Sequence, residues 1–513
     1  MQPKLPWPWN ELLAETANQR LGGPMGLPDA IRGRHSLTIG ATGSGKSRLI
    51  ESLAVLDALR RVTGHSKSGY AIIDNTGDLT RNMRVRLAAL SQQYPAINEL
   101  LYIFDPTHQW SARVNPLQLY PGDVAEQKAD NLAHLITTVF HEEPTTVVRM
   151  YRVSYHTFLA LSLAKRSLVD VPQFLTDRAF RERIVSSLNH AELNQYFLTE
   201  FPAQARNGSE REALAMVEST LNRLGRFVAL PAIAAMFGGP ATVNIRELMD
   251  MGAIVLVNAP KGVLGEGASA LLCAFLISAF EQAGYSRQHL ADHERTQFYL
   301  ICDEFTAYMS EAMIRIIAQS RKYGLSLSLV TQEVAGNPKT EPLIRSVINT
   351  VQSIFSFRLS DHDAQVIVRE LFTPPLNQPK EVKQRRVPTG IKWFPYTTEQ
   401  EIVWTPMQEL YEQEIRRLTQ LPDRMVWWKQ RGQPGAHLIR TLSVANIEDL
   451  PNAQALPGLL LAQEMALAKR AGVAKQGSKA EAKPRKPLLL LPGTAKNGKD
   501  DDDTLDYSEF FDV

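Results

Sequence analysis

The sequence predicts an α/β protein in which a parallel sheet is interrupted by a block of helices. Three observations predict it. Short apolar runs alternate with helical stretches in residues 35–120 and again in 249–445. The stretch 121–248 between them is almost free of strand signals. A glycine-rich loop, Gly40 to Ser47, sits between the first apolar run and the first helix. Alternation of β and α segments is the pattern of a parallel sheet covered by helices.

Residues 1–34 read as a lead-in: a Pro/Trp segment, then a short amphipathic helix near Asn10 to Arg20. His35 to Ile39 is the first strand, followed by the glycine loop and a helix from Lys46 to about Val62. Gly69 to Asp74 and Leu100 to Asp105 are further apolar strands. Helical periodicity then takes over at Asp123 to His141, Val147 to Leu163 and Glu210 to Leu230, so residues 121–248 are expected to form an all-α insertion. The β/α pattern resumes with Ala253 to Asn258, a helix from Ala268 to Gly284, and strands at Gln297 to Cys302, Leu325 to Thr331 and Ser353 to Leu359. Residues 35–120 and 249–445 thus read as one discontinuous nucleotide-binding domain, followed by a helical segment at 446–473. From 474 to 513 the chain is Lys/Ala/Pro-rich, then acidic through Asp500 to Asp503. That composition buries too little surface to order itself, and a disordered tail is expected.

Composition narrows the class. Hydrophobic residues make up 44% and charged residues 21%, which is ordinary for a globular chain. The net charge of +2 carries no global signature of nucleic-acid binding, although a local basic patch or pore remains compatible with it. The two cysteines, Cys273 and Cys302, lie in apolar runs and read as core residues in a reducing compartment. The first residues lack a signal-peptide pattern, and no uncharged apolar stretch reaches bilayer-spanning length. A cytoplasmic protein without direct membrane insertion, open to recruitment to the inner face of the membrane by a partner, is expected.

The chemistry starts at Gly40-Ala41-Thr42-Gly43-Ser44-Gly45-Lys46-Ser47, which fits the P-loop (Walker A) pattern G-x-x-x-x-G-K-[ST]. Glycines let the backbone turn so that its N–H groups converge on phosphates, and the following helix directs its positive end at the same anions. Lys46 is placed to reach the β- and γ-phosphates, and the Ser47 hydroxyl to ligate Mg²⁺. ATP and Mg²⁺ are therefore the expected cofactors; the bland alternative is a flexible Gly/Ser loop. Asp303 and Glu304 follow the apolar strand Phe298 to Cys302 and supply a metal-side acid and a base for water. A solvated turn would also carry two such carboxylates. Gln332, at the end of the strand Leu325 to Thr331, is placed to sense the γ-phosphate, or simply to open a loop.

With these residues in place, the sequence resembles the conjugative coupling-protein family (TraD/TraG-like) of type IV secretion systems, within the FtsK/HerA superfamily of ring motors. The resemblance runs in order through most of residues 33–445. It takes in the glycine loop, Ile73-Asp74-Asn75-Thr76-Gly77-Asp78, Phe104-Asp105-Pro106, Asn115-Pro116-Leu117, Val255 to Asn258, Asp303-Glu304, and Ser320 to Leu325 leading to Gln332. It implies a RecA-like domain with an all-α domain inserted. It also implies an arginine finger at Arg321, reaching a neighbouring subunit's γ-phosphate, with Arg358 as second candidate; a surface ion pair is the alternative for either. Two departures stand out: the membrane-bound members' transmembrane helices are missing, and Asn75 stands where the family often has Pro.

One P-loop and one Asp-Glu strand argue that the chain completes its site by self-assembly. The family implies a hexameric ring moving DNA, with relaxase or secretion-channel proteins as partners. Arg206, Arg211, Arg223 and Arg226, or Lys380, Lys383, Arg385 and Arg386 with Trp393, are candidates for phosphate contact and base stacking, though each set also reads as a solvated face. Leu505, Tyr507, Phe510 and Phe511 in the acidic tail could dock on a basic partner groove, or merely solubilise the chain. A motor that moves protein substrates, and a nucleotide-dependent recruitment adaptor, are the competing readings; Glu304 speaks against the adaptor, which would not need turnover.

Overall fold

The computed structural model describes residues 14–16, 29–140, 144–201, 217–239, 241–335, 341–373, 379–391, 393–433, 435–441, 446–447, 450 and 454–471. Its strands are β1 (Ala14–Thr16), β2 (Ser36–Ile39), β3 (Gly69–Asp74), β4 (Leu101–Phe104), β5 (Ile254–Asn258), β6 (Phe298–Cys302), β7 (Leu325–Thr331), β8 (Ser353–Ser356), β9 (Pro379–Ile391), β10 (Phe394–Trp404), β11 (Met425–Gln430) and β12 (His437–Thr441). The described chain falls into two compact units, one of residues 47–329 with 446–471, the other of 14–46 with 330–441. The division passes between Lys46 and Ser47 and, in β7, between Leu329 and Val330.

In the first unit the strands run in the order β7-β6-β3-β5-β4, all parallel. Every residue of β3 and β6 is buried, which is why these strands read as unbroken apolar runs rather than alternating ones. The helix Lys46–Val62 from Ser47 onward and the helices Asp78–Ser91 and Glu266–Tyr285 belong to this unit. The last is apolar around its whole circumference, with Leu271, Leu272, Phe275, Leu276 and Phe280 buried. The span Glu266–His289 has the length and hydropathy of a membrane crossing, yet 67% of its window is buried inside the protein, as in a core helix. Its Glu281 is fully buried and held by Arg315 through Nε at 2.6 Å and Nη2 at 2.9 Å. Cys273 and Cys302 are buried free thiols, and burial raises both pKa values, so neither is a reactive thiolate.

Between β4 and β5 the described chain is helical, including Ala125–Phe140, Pro144–Leu163 and Arg178–Leu188. This agrees with the helical character expected of 121–248. The expected helix Glu210 to Leu230 is described only from residue 217 onward; Arg206 and Arg211 lie outside the described residues. A C-terminal helix, Leu456–Arg470, is tied back by Arg470, whose guanidinium donates to the carbonyls of Asn98 at 2.9 Å and Glu99 at 3.0 Å. The tail 474–513, with its acidic and aromatic residues, also lies outside the described residues.

The second unit holds the strand order β1-β12-β11-β8-β2. Only β2 and β8 are parallel; β8–β11, β11–β12 and β12–β1 are antiparallel. This antiparallel extension is not visible in the β/α alternation of the sequence. The expected N-terminal helix is corrected here. Ala14–Thr16 is a strand, with Ala14 opposite Thr441, and the other residues of Asn10 to Arg20 lie outside the described residues. A short helix is marginal in water, whereas the open edge of β12 offers unpaired backbone groups that three residues can satisfy. Strands β9 and β10 form a two-stranded hairpin outside that sheet, with Arg385 opposite Glu399.

Candidate active site

The glycine loop leaves β2 and enters the helix Lys46–Val62, as its sequence requires. Gly43 and Gly45 take φ of 78° and 111°, the region only glycine enters freely. Gly40 is needed for space: a Cβ there would lie 2.5 Å from Phe357 Cβ and 2.8 Å from Ser44 Oγ. Backbone bonds brace the loop, since Gly40 N–H donates to Thr331 O at 3.3 Å and Ala41 N–H to Arg358 O at 2.7 Å. Arg424 N–H donates to Ser44 O at 3.0 Å. Lys46 is buried, its Nζ donating to Gly40 O at 2.6 Å and Ala41 O at 3.2 Å, while Ser47 is exposed.

Gln332 comes to the same loop. Its Oε1 accepts a hydrogen bond from Thr42 Oγ1 at 2.5 Å, within the unit that holds the loop. Arg358 is there too, and its Nη1 pairs with Asp423 Oδ1 at 2.8 Å.

Asp303 and Glu304 lie in the other unit, at the C-terminal end of β6. Asp303 is buried, and its N–H donates to Ile73 O at 3.0 Å. The buried Tyr308 hydroxyl donates to Asp303 O at 2.5 Å and pins the turn. Glu304 is a non-glycine residue at φ 49°, ψ 42°. Left-handed backbone of this kind persists where the surroundings enforce it, and it clusters at functional sites. The C-terminal ends of β3, β4 and β5 carry Asp74, Asp105 and Asn258. Asp74 is fully buried; its Oδ1 accepts from Thr76 N, Thr76 Oγ1 and Gly77 N, and its Oδ2 from Thr80 N and Oγ1. Asn258 Nδ2 donates to Asp105 Oδ2 at 2.8 Å. The turn Asp74 to Asp78 is thus shaped by Asp74 and by Gly77 at φ 91°, so Asn75 does not have to supply its rigidity.

Arg321 is exposed, in the turn Ser320–Tyr323 that leads into β7. No acid pairs with it among the described residues. It stands at the start of β7, whereas Asp303 and Glu304 stand past the end of the parallel β6, with Phe298 opposite Leu325. At about 3.3 Å per residue, the intervening strand length is about 17 Å. Arg321 therefore cannot meet the Asp303–Glu304 pair of its own chain.

Of the basic candidates, Arg223 donates to Ser219 O at 2.9 Å and Arg226 is exposed. Lys380, Lys383, Arg385 and Arg386 come together on β9, with Trp393 at the hairpin turn and 93% exposed. Lys380 pairs with Glu409 at 2.5 Å and Lys383 with Glu381 at 3.5 Å, whereas no ion pair to Arg385 or Arg386 occurs among the described residues. Phe357 and Arg424 had no sequence signal, because each is defined only by its contact with the loop. Among the described residues no group of three or more His, Cys, Asp or Glu side chains could hold a metal. A Mg²⁺ carried by nucleotide phosphates needs only one or two protein oxygens, and the Ser47 hydroxyl and an Asp303 carboxylate are oxygen donors of that type.

No protein-family model matches the sequence, and no curated protein matches it. Solved structures do. The chain has the fold of the plasmid coupling protein TrwB. It superposes on TrwB in complex with a non-hydrolysable ATP analogue, ADPNP, with TM-score 0.55 and 15% identity over 85% of this chain and 90% of that one. TrwB in complex with ADP and Mg²⁺ gives 0.53 and 16%, over 83% and 88%. VirB4 of Thermoanaerobacter pseudethanolicus gives 0.51 and 13%, over 85% and 96%. The fold expected from the resemblance, mixed α/β with a large, mostly parallel sheet, is the fold observed.

Proposed function

We propose that the chain is an ATP-hydrolysing motor that moves DNA, working as a ring of identical subunits in conjugative transfer or type IV secretion. The observation that carries this reading is the glycine loop with Gln332 bonded to it through Thr42. A residue at a strand end that touches the loop can register the presence of a γ-phosphate and pass that on along β7. The loop N–H groups and Lys46 would take the phosphates, with Lys46 exchanging the carbonyls of Gly40 and Ala41 for phosphate oxygens. Mg²⁺, held through Ser47 and Asp303, would neutralise phosphate charge. Glu304 would accept the proton of the attacking water. Two findings support the nucleotide and metal: one TrwB structure is a complex with ADP and Mg²⁺, and another is a complex with ADPNP.

Support for a shared site comes from Arg321, exposed, without an acid partner among the described residues, and a strand length from its own Asp303–Glu304 pair. Support for DNA comes from the hairpin, which presents Arg385 and Arg386 on one strand and an exposed Trp at its turn. Steady-state ATP hydrolysis with and without DNA tests the reading. DNA stimulation is expected, abolished by Lys46→Ala and by Glu304→Gln. The Arg385→Ala/Arg386→Ala/Trp393→Ala hairpin should bind DNA at least tenfold more weakly and with a shallower salt dependence, since fewer counterions are released. Hydrolysis indifferent to DNA would favour movement of protein substrates instead.

A further inference from the structure

We propose that Arg424 is a nucleotide-binding residue whose guanidinium takes the phosphates held at the glycine loop. The inference rests on the reading of that loop as an ATP site and adds a ligand that no motif contains.

Arg424 is locked to the loop through its backbone. Its N–H donates to Ser44 O at 3.0 Å, and a Cβ on Gly45 would lie 3.4 Å from its Cα and N. Its own carbonyl accepts from Thr441 N at 2.9 Å and Thr441 Oγ1 at 3.1 Å, so β12 holds it in place. The residue sits at φ 67°, a left-handed backbone that glycine would occupy without strain. A purely structural turn at this point would favour glycine.

That side chain has no use inside the described protein. The guanidinium of Arg424 makes no hydrogen bond or ion pair among the described residues, and its Nε is buried without an acceptor. Arg424 is half-buried and only its Nε is buried; an unpaired buried donor carries a cost that a bound anion would offset. The neighbouring arginine shows the contrast. Arg358 also touches the loop, through its carbonyl to Ala41, but its guanidinium is engaged by Asp423 at 2.8 Å. The acid next to Arg424 in sequence is thus already committed to Arg358. A planar fork of donors beside a phosphate-binding loop matches phosphate oxygens in charge and geometry.

The test is equilibrium binding of a fluorescent ADP and a fluorescent ATP analogue to the full chain. Arg424→Gly keeps the left-handed backbone and removes the guanidinium. Both nucleotides should bind roughly ten- to a hundredfold more weakly, as expected for loss of a charge-assisted hydrogen bond. The urea midpoint of the free protein should not fall, and Arg424→Lys should recover part of the affinity. Wild-type affinity in Arg424→Gly overturns the proposal. A loss of affinity that comes with a lowered midpoint also overturns it, because the residue is then structural. The control is Lys46→Ala. If wild type binds, Lys46→Ala does not and Arg424→Gly does, only this inference fails; if wild type binds neither nucleotide, the ATP-site reading itself fails.

Discussion

Gly40→Ala puts the packing of the loop to a quantitative test. The added Cβ would sit 2.5 Å from Phe357 Cβ, whereas carbon atoms in contact settle at about 3.5–4.0 Å. The loop or the strand end must therefore yield by about 1 Å. Overpacking of that kind costs about 1–3 kcal/mol. The displaced group is also functional, because Gly40 O is the acceptor for Lys46 Nζ at 2.6 Å and Gly40 N–H bonds Thr331 O. Nucleotide affinity should then drop along with stability. Gly43→Asn is the comparator: φ is 78° with nothing within 4 Å of a Cβ, and Asn tolerates the left-handed region, so the cost should stay below about 1 kcal/mol. Urea unfolding and nucleotide titration of both variants supply the measurement. In double variants Phe357→Gly should relieve part of the Gly40→Ala penalty, whereas Phe357→Ala, which keeps the offending Cβ, should relieve little. Equal stability of Gly40→Ala and Gly43→Asn, or full rescue by Phe357→Ala, would refute the steric argument.

Two further outcomes are expected. Arg321→Ala subunits and Lys46→Ala subunits should each be inactive alone yet recover part of the hydrolysis when mixed, because a mixed ring contains junctions where an intact loop faces an intact Arg321; no recovery would mean each chain works alone. His156 is buried and stacked on Tyr196 at 3.8 Å, and burial pushes its pKa below 6.5, outweighing the raising effects of the Arg152 carbonyl, Glu192 and Glu200. The folded protein thus binds this proton less readily than the unfolded chain. The contribution to stability is complete above about pH 6.5 and is lost as pH falls through that window. The drop in urea midpoint between pH 7.5 and pH 5.5 should shrink in His156→Phe, which keeps a ring against Tyr196, and an unchanged drop would count against it.

Much of the fold was legible locally. Strands buried on both faces, such as β3 and β6, announce themselves as unbroken apolar runs, and the helix Lys46–Val62 falls where the glycine loop places it. The hairpin β9–β10 pairs locally and was missed because its strands are polar and exposed rather than apolar runs. The antiparallel extension was not legible, because β11 joins the sheet through β8, an edge supplied by residues far away in the chain. The N-terminal segment failed for the same reason. Three residues at Ala14–Thr16 are decided by the edge of β12 rather than by their own helical periodicity.

The glycine loop, with its turn, its lysine and its following helix, was determined by the sequence itself, since covalent spacing and the freedom of glycine set that geometry over eight residues. Asp303, Glu304 and Gln332 were also readable, because each directly follows an apolar strand and so must lie at its C-terminal end. What surrounds the loop was decided only by tertiary structure. Phe357 excludes a side chain at Gly40, Thr42 bonds Gln332, Asp423 engages Arg358, and Arg424 is held at Ser44 with its guanidinium unpaired. All but the Asp423–Arg358 pair join residues hundreds of positions apart, and no local propensity encodes contacts of that range.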